Sequence, residues 1–408
     1  MRFVLFYFWK YRRTCRSSCL KYQHGAALML LILLLFVALS AALIIVMSPN
    51  VIEENRQLRS QQALEAAKQV LIAYAVGAAN RPGELPCPDI DNDGKINPAD
   101  GVAGNCTSLR GWLPWYLLGL GDLRDGHGER LWYVLSDTFR PYGSAPPGLP
   151  LNSDTQTDLV IYGADPANPD VAYDFPQIAA IIIAPGEPLS NNASDRTFEH
   201  SENISADDLV ASYLEMRNSD ADKTTYTKQP ASTSFNDHLI IITVDQIMKH
   251  VEKLAKRTIV AGIDDYFEEN GFYPYAEEVP GDSCDGTSLR TEGYLQLAHQ
   301  AGCPYDVLGM PDWIAENDWH RMFWYAFDPS CQTDGGNAAP ACAGSITVGD
   351  IDNIKAFILF SGKAIDVQNR PSDLPVDYFD DDENYDLDGI FQYPVPSATN
   401  NDELTVIN

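Results

Sequence analysis

Acidic residues between positions 89 and 100 have the spacing of a calcium-binding loop. Calcium takes six to eight oxygen ligands, and a common twelve-residue loop supplies them from its positions 1, 3, 5, 7, 9 and 12. In this chain those positions fall on Asp89, Asp91, Asp93, Lys95, Asn97 and Asp100. Position 7 supplies a backbone carbonyl, which Lys95 can offer, and Gly94 lies where the loop must turn sharply. The spacing therefore predicts a calcium site, and a solvated acidic turn is the alternative.

The last residue of this loop departs from the usual pattern. EF-hand loops end on a glutamate that binds the ion with both oxygens, whereas this loop ends on Asp100. In that respect it resembles the loops of bacterial dockerin-like modules. We therefore expect calcium to bind here with reduced affinity.

Six of the eight cysteines fall into three pairs with short separations. The pairs are Cys87 with Cys106, Cys284 with Cys303, and Cys331 with Cys342, and the first two have the same separation of 19 residues. The chain has no C-x-x-C spacing of the kind that binds zinc, and disulfides persist in oxidising compartments. We predict three disulfides on these grounds, with reduced core cysteines as the alternative; the connectivity itself is not fixed by the sequence.

The charge of the chain is strongly acidic and unevenly distributed. Its 57 acidic and 28 basic residues give a formal net charge of -29, which repels phosphate backbones and excludes nucleic-acid binding by the bulk of the chain. Residues 1–25 nevertheless hold six basic side chains and no acid, and the 22 residues 26–47 carry no charge. That length is enough to cross a bilayer as a helix, with the basic residues on the cytoplasmic side. The sequence predicts a single-pass membrane protein.

The residues entering the apolar segment resemble the start of a type IV pilin-like prepilin, a family that includes the pseudopilins of type II secretion. A basic leader ends at Gly25, Ala26 opens the apolar run, and Pro49 follows shortly after it. The resemblance implies that a prepilin peptidase cuts after Gly25 and methylates Ala26, and that the N-terminal helix packs with other pilin-like subunits. It also implies a bacterial inner-membrane protein whose C-terminal region is periplasmic or in an extracellular filament. Most pilins have glutamate where this chain has Leu30, a departure that resembles tip-located minor pseudopilins.

The region beyond residue 48 contains an internal duplication. Segments recur in the same order: 130–133 with 322–325, 178–186 with 354–362, and 235–239 with 400–404. Short β-branched or aromatic runs predict strands, and the pattern after Thr243 predicts a capped helix that ends at Gly271. We predict an α+β fold in which a long N-terminal transmembrane and spine helix precedes an antiparallel β-sheet pilin-like head, tandemly duplicated. The predicted domains are a cytoplasmic basic leader (1–25), a transmembrane helix (26–47), a first head with its spine helix (48–242) and a second head (243–408).

A second group of acids, within residues 380–388, precedes the final predicted strand. Pseudopilin heads often bind calcium in a loop before their last strands, so the resemblance allows a second ion here. A solvated charged loop is the alternative interpretation, and the sequence does not decide between the two.

Catalytic sequence patterns are absent from the chain. It contains no G-x-S-x-G, no H-E-x-x-H and no G-x-x-x-x-G-K, and its histidines are scattered. We therefore predict that it is not an enzyme but a minor pilin or pseudopilin-like subunit, acting in assembly, capping or recognition at a type IV pilus or type II secretion filament. The alternative is an unprocessed, single-pass membrane-anchored periplasmic protein that binds a partner or a glycan. A secreted hydrolase is the third interpretation.

Overall fold

The structure separates the chain into two compact units. The computed structural model describes residues 23–46, 49–96, 100–102, 105–142, 149–163, 170–172, 177–189, 196, 205–278, 280, 289–296, 308–332, 342–365 and 368–407. One unit comprises residues 1–59 and the other residues 60–408. The second unit contains both candidate heads and all of the sheets.

The described residues form five α-helices. They are α1 Gln23–Val46, α2 Pro49–Val76, α3 Ala206–Tyr213, α4 Val244–Asn270 and α5 Asp312–Glu316. The predicted single spine helix is therefore wrong, because α1 and α2 are separate elements. Pro49 opens α2, and proline suits the first turn of a helix but not its interior, where it lacks the amide hydrogen and clashes with the preceding turn.

The predicted transmembrane helix and the predicted inner-membrane location are also wrong. Across the residues that the structure describes, the helices fall short of the combined length and apolar character needed to cross a bilayer. The prediction rested on a count of uncharged residues over 26–47.

The described residues of the second unit form fourteen short strands. They are β1 Gly101–Val102, β2 Asn105–Cys106, β3 Arg110–Trp112, β4 Trp132–Leu135, β5 Val160–Tyr162, β6 Ile178–Ala184, β7 Thr225–Thr227, β8 His238–Thr243, β9 Glu292–Tyr294, β10 Phe323–Phe327, β11 Ile346–Val348, β12 Ile351–Ile354, β13 Ala356–Phe360 and β14 Glu403–Ile407. Two antiparallel sheets of four strands have the orders β3-β4-β6-β8 and β9-β10-β13-β14. In each sheet the strands therefore lie side by side in the order in which they occur along the chain.

Strand register places similar residues at equivalent positions in the two sheets. Trp132 faces Trp112 in the first sheet, and Trp324 faces Tyr294 in the second. The next strand continues the match, because Tyr133 faces Ile182 as Tyr325 faces Ile358. We use these register pairs below to identify corresponding residues of the two halves.

The architecture is a mixed α/β fold with several small sheets, so the predicted α+β pilin-like head is wrong as a description of the whole. Two-stranded sheets pair β1 with β2, β5 with β7, and β11 with β12, and the β5–β7 pair is parallel. Parallel strands need a long crossover. The connection between β5 and β7 includes β6 and α3. No local sequence pattern predicts that two strands so far apart in the chain will pair.

Helix α4 packs in the centre of the second unit. Thr243 accepts a hydrogen bond from the Gln246 amide at its start, and Gly271 ends it in the left-handed conformation with φ of 77°. Both predicted ends are therefore confirmed. Its buried face contributes Ile247, Val251 and Ile259 to the same apolar core as Leu71 of α2. The core thus joins helices and sheets of both halves.

Candidate functional site

The acidic loop starts beside the edge strand of the first sheet. The Asp89 amide donates to the Trp112 carbonyl over 3.0 Å, and the Trp112 amide donates to the Asp89 carbonyl over 2.8 Å. A Cβ on the neighbouring Gly111 would lie 2.4 Å from that Asp89 carbonyl oxygen, so only glycine permits this approach. The sheet therefore fixes the first residue of the loop.

Three carboxylates of the loop converge. One oxygen each from Asp89, Asp91 and Asp93 lies within 4.8 Å of the others. Oδ1 of Asp89 accepts from the Asn92 amide over 2.6 Å, and its Oδ2 accepts from the Gly94 amide over 2.6 Å. The backbone thus wraps around a buried aspartate, and the wrapping brings the next two acids beside it.

The sharp turn at Gly94 is held by aromatic packing. Gly94 has a φ of 80°, and a Cβ there would lie 2.3 Å from Cε2 of Trp115. Asn92 also has a positive φ, of 65°, and Arg130 Nη1 donates to its backbone carbonyl over 2.6 Å. The turn at Gly94 therefore packs closely against Trp115, so the loop conformation depends on surrounding residues as well as on the sequence of the loop.

The electrostatics of the loop favour a cation. Burial, together with nearby Asp100 and Asp91, raises the pKa of Asp89 to about 8, although hydrogen bonds from the Gly94 and Asn92 amides lower it. Two like charges held close together disfavour ionisation, and a bound cation reverses that preference. A bound metal ion would therefore favour the ionised form of Asp89 and reduce the repulsion among the three carboxylates.

The donor set fits calcium. All three converging groups are carboxylates, the hard oxygen ligands that calcium prefers, and softer donors such as thiolates are not part of the cluster. Asp89, Asp91 and Asp93 would hold the ion. Lys95 is exposed, as a residue contributing only its carbonyl can be.

The structure describes one of the remaining two predicted ligands. Asp100 is fully buried, and its Oδ1 accepts from the Ile90 amide over 2.7 Å, so it ties the end of the loop to its beginning. Asn97 lies outside the described residues. The three converging carboxylates are thus part of the predicted set of six.

Disulfides brace both halves. Cys87 is bonded to Cys106 and so links the segments on either side of the acidic loop, and Cys331 is bonded to Cys342. The predicted partners Cys284 and Cys303 lie outside the described residues. Gly25 and Ala26, the predicted processing site, lie near the start of α1.

The second half has a counterpart of Asp89 without a converging cluster around it. Glu277 exchanges backbone hydrogen bonds with Tyr294 over 2.8 and 2.9 Å, as Asp89 does with Trp112. The following Glu278 forms an ion pair with Arg290 at 2.9 Å. In the described part of the chain, the triad of carboxylates suited to a metal belongs to the first half.

The acids of residues 380–388 are engaged with backbone amides. Asp380 Oδ2 accepts from the Asn401 amide over 2.8 Å, and Asp381 Oδ1 accepts from the Glu383 amide over 3.2 Å. Asp402 Oδ2 accepts in turn from the Asp380 amide over 3.0 Å. These bonds shape a turn, and they are compatible with the solvated-loop interpretation.

A repeated arginine network escaped the sequence analysis. Arg196 donates to the Gly186 carbonyl over 2.8 Å and to the Tyr213 carbonyl over 3.0 Å. In the second half Arg370 donates to the corresponding carbonyls, those of Gly362 and Tyr378, over 2.7 Å each: Nη1 to Gly362 and Nη2 to Tyr378. The two arginines were missed because their separations from the duplicated segments differ.

Comparisons with known proteins find no relative: no family model matches the chain, and no curated protein or solved structure is significantly similar to it.

Proposed function

We propose that the protein is a pilin-like subunit without enzymatic activity, which acts in assembly, capping or recognition at a type IV pilus or type II secretion filament. The observation that carries the proposal is an arrangement of helix and sheet that occurs in both halves of the chain. In each, a helix is followed along the chain by a four-stranded antiparallel sheet, and the two sheets have the same strand order. This helix-then-sheet order is the one that the resemblance at Gly25 leads us to expect of a pilin-like head.

The apolar surface of α1 supports assembly through that helix. Large side chains along it are exposed, among them Leu28, Leu30, Leu31 and Phe36, with exposures of 57–73%. Contiguous exposed apolar surface of this kind marks a contact site. Its proposed occupants are the α1-type helices of other pilin-like subunits.

Calcium has a stabilising role in this proposal. Asp89, Asp91 and Asp93 bind the ion, whose charge offsets the repulsion among the three carboxylates, and the Cys87–Cys106 disulfide holds the segments around them. A ligand that binds only the folded head raises its stability by mass action. The head is therefore most stable where the calcium concentration is high.

The amino terminus of the full-length protein tests the proposal. The chain is expressed with and without a prepilin peptidase, and its intact mass and terminal sequence are measured. We expect a start at methylated Ala26 that requires the peptidase, lost in Gly25→Val and kept in the neighbouring control Ala27→Val. A start at Met1 in every sample would refute the pilin-like assignment.

A further inference from the structure

The second half contains a cavity beside the edge strand of its sheet. Its volume is about 540 Å³, and Glu292 of β9 lines it together with Phe327, Ile346 and Phe391. The hydroxyl side chain of Thr347 contributes to the wall as well. A cavity of this size, lined by both apolar and polar side chains, has the dimensions of a site for a small molecule or a single side chain.

The carboxylate of Glu292 is buried in that cavity without a hydrogen-bond partner for Oε1. The residue is only 8% exposed, and Oε1 has no partner among the described residues. Burial, together with nearby Asp386 and Asp388, raises the pKa of Glu292 to about 7, although Arg290 acts in the opposite direction. Arg290 is itself paired with Glu278. A buried carboxylate without a partner is costly, and a cation would remove that cost.

The first half shows what occupies the corresponding place. Glu292 faces Ala326 two residues from the Tyr294–Trp324 pair, and Arg110 faces Val134 two residues from the Trp112–Trp132 pair. The side chain of Arg110 is buried, and its Nη1 donates to the carbonyls of Asp220 over 2.7 Å and Asn218 over 3.2 Å. The first half therefore contains its own guanidinium where the second half has a carboxylate and a cavity.

The acids around the two positions also correspond. Asn218 Oδ1 accepts from the Thr227 amide over 2.7 Å, and Asn384 Oδ1 accepts from the Gln392 amide over 2.8 Å, which identifies the two asparagines as equivalents. Two and four residues after Asn218 come Asp220 and Asp222; two and four after Asn384 come Asp386 and Asp388. The acidic surroundings of the Arg110 guanidinium are thus repeated in the second half, but the guanidinium is not.

We propose that this cavity binds a guanidinium cation, from a free small compound or from an arginine side chain of a partner protein, in the place that Arg110 fills in the first half. Glu292 pairs with the cation, and Phe327 and Phe391, which line the cavity, supply aromatic rings for contact with a guanidinium. Calcium suits the cavity less well, because it requires six to eight oxygens and Glu292 is the one carboxylate among the described residues that line the cavity. The proposal does not depend on processing at Gly25.

Binding to the full-length protein is measured by calorimetry with two matched probes. They are N-acetyl-arginine amide and N-acetyl-citrulline amide, which has the same shape but no charge. We expect the arginine probe to bind at least about tenfold more tightly, since charge-assisted pairs are the stronger hydrogen bonds. Glu292→Gln should lose at least about tenfold in affinity, whereas Glu268→Gln, an exposed control on α4 with the same change of charge, should bind as the wild type does.

A second variant separates loss of the site from loss of the fold. Glu292→Arg places in the cavity the side chain type that the first half has there, so it should abolish probe binding while leaving the melting temperature equal or higher. A pentapeptide with central arginine that binds tenfold more tightly than the small probe would identify the source as a protein side chain; equal affinities would identify a free compound. The proposal would be overturned if the arginine and citrulline probes bound equally, or if neither bound. It would also be overturned if calcium alone displaced the arginine probe.

Discussion

Arg110 and Glu292 occupy the same position in the two four-stranded sheets and carry opposite charges. Arg110 donates to backbone carbonyls and lies 3.7 Å from Asp207, whereas Glu292 lies near the carboxylates of Asp386 and Asp388. Two halves with the same strand order have therefore diverged in the charge at one buried site. At this site the first half has the guanidinium of its own Arg110, whereas the second half can take a cation from a ligand.

The pH dependence of stability should report on Glu292. Its pKa is about 7 in the folded protein and near 4.5 in the unfolded chain, so the folded state retains a proton that the unfolded state loses between these values. The contribution of this residue to stability therefore falls as pH rises through that window. We expect Glu292→Gln to melt like the wild type at pH 5 and about 2 °C or more above it at pH 8. The exposed control Glu268→Gln should show no such divergence; equal differences at both pH values for Glu292→Gln would contradict the assignment.

The arginine network of the second half should be sensitive to a conservative substitution. The Arg370 side chain is 2% exposed and uses several of its donors on carbonyls, including those of Gly362 and Tyr378. Lysine has one point of charge and cannot reproduce that fork. We expect Arg370→Lys to lower the free energy of unfolding in urea by about 2–4 kcal/mol, since buried acceptors lose their donors.

A matched control for that substitution lies on the exposed side of α4. Arg257→Lys keeps the charge at an exposed position, so it should change the free energy of unfolding by less than about 0.5 kcal/mol. A loss of similar size in both variants would show that the carbonyl network does not stabilise the second half.

Gly94 offers a test of how tightly the acidic loop is built. Gly94→Ala combines a positive φ with a close approach to Trp115, whereas Gly128→Ala has a φ of 91° and open space around the added Cβ. The control therefore isolates the conformational cost from the steric one. We expect Gly128→Ala to cost about 1 kcal/mol and Gly94→Ala about 1–3 kcal/mol more, measured by thermal melting in chelator. Equal losses would mean that the tryptophan does not shape the turn.

The sequence analysis located elements better than it located their long-range pairing. The ends of α4 were predictable because Thr243, Gln246 and Gly271 act within one or two turns of the chain. Carboxylates at alternate positions of one loop were likewise visible, and three of them converge. Such features depend on neighbours in sequence.

Features that depend on distant segments were not predictable. The parallel pairing of β5 with β7 joins residues more than sixty positions apart, and the cavity at Glu292 is lined by residues from several separate segments. The sequence analysis did not predict that a separate helix starts at Pro49, although proline favours the first turn of a helix. The number of residues between each of these arginines, Arg196 and Arg370, and its carbonyl partners depends on loop length. No sequence periodicity predicts loop length.

The most direct test of the calcium-stabilised head is the melting temperature of the full-length protein in calcium and in chelator. Asp91→Asn with Asp93→Asn removes two ligands and leaves Asp89 to hold the backbone amides; Glu268→Gln with Glu269→Gln, at exposed positions of α4, is a control with the same change of charge. We expect calcium to raise the melting temperature of the wild type and the control by several degrees and to leave the ligand variant unchanged. An equal calcium-dependent rise in the ligand variant, or no rise in the wild type, would contradict calcium binding by this loop.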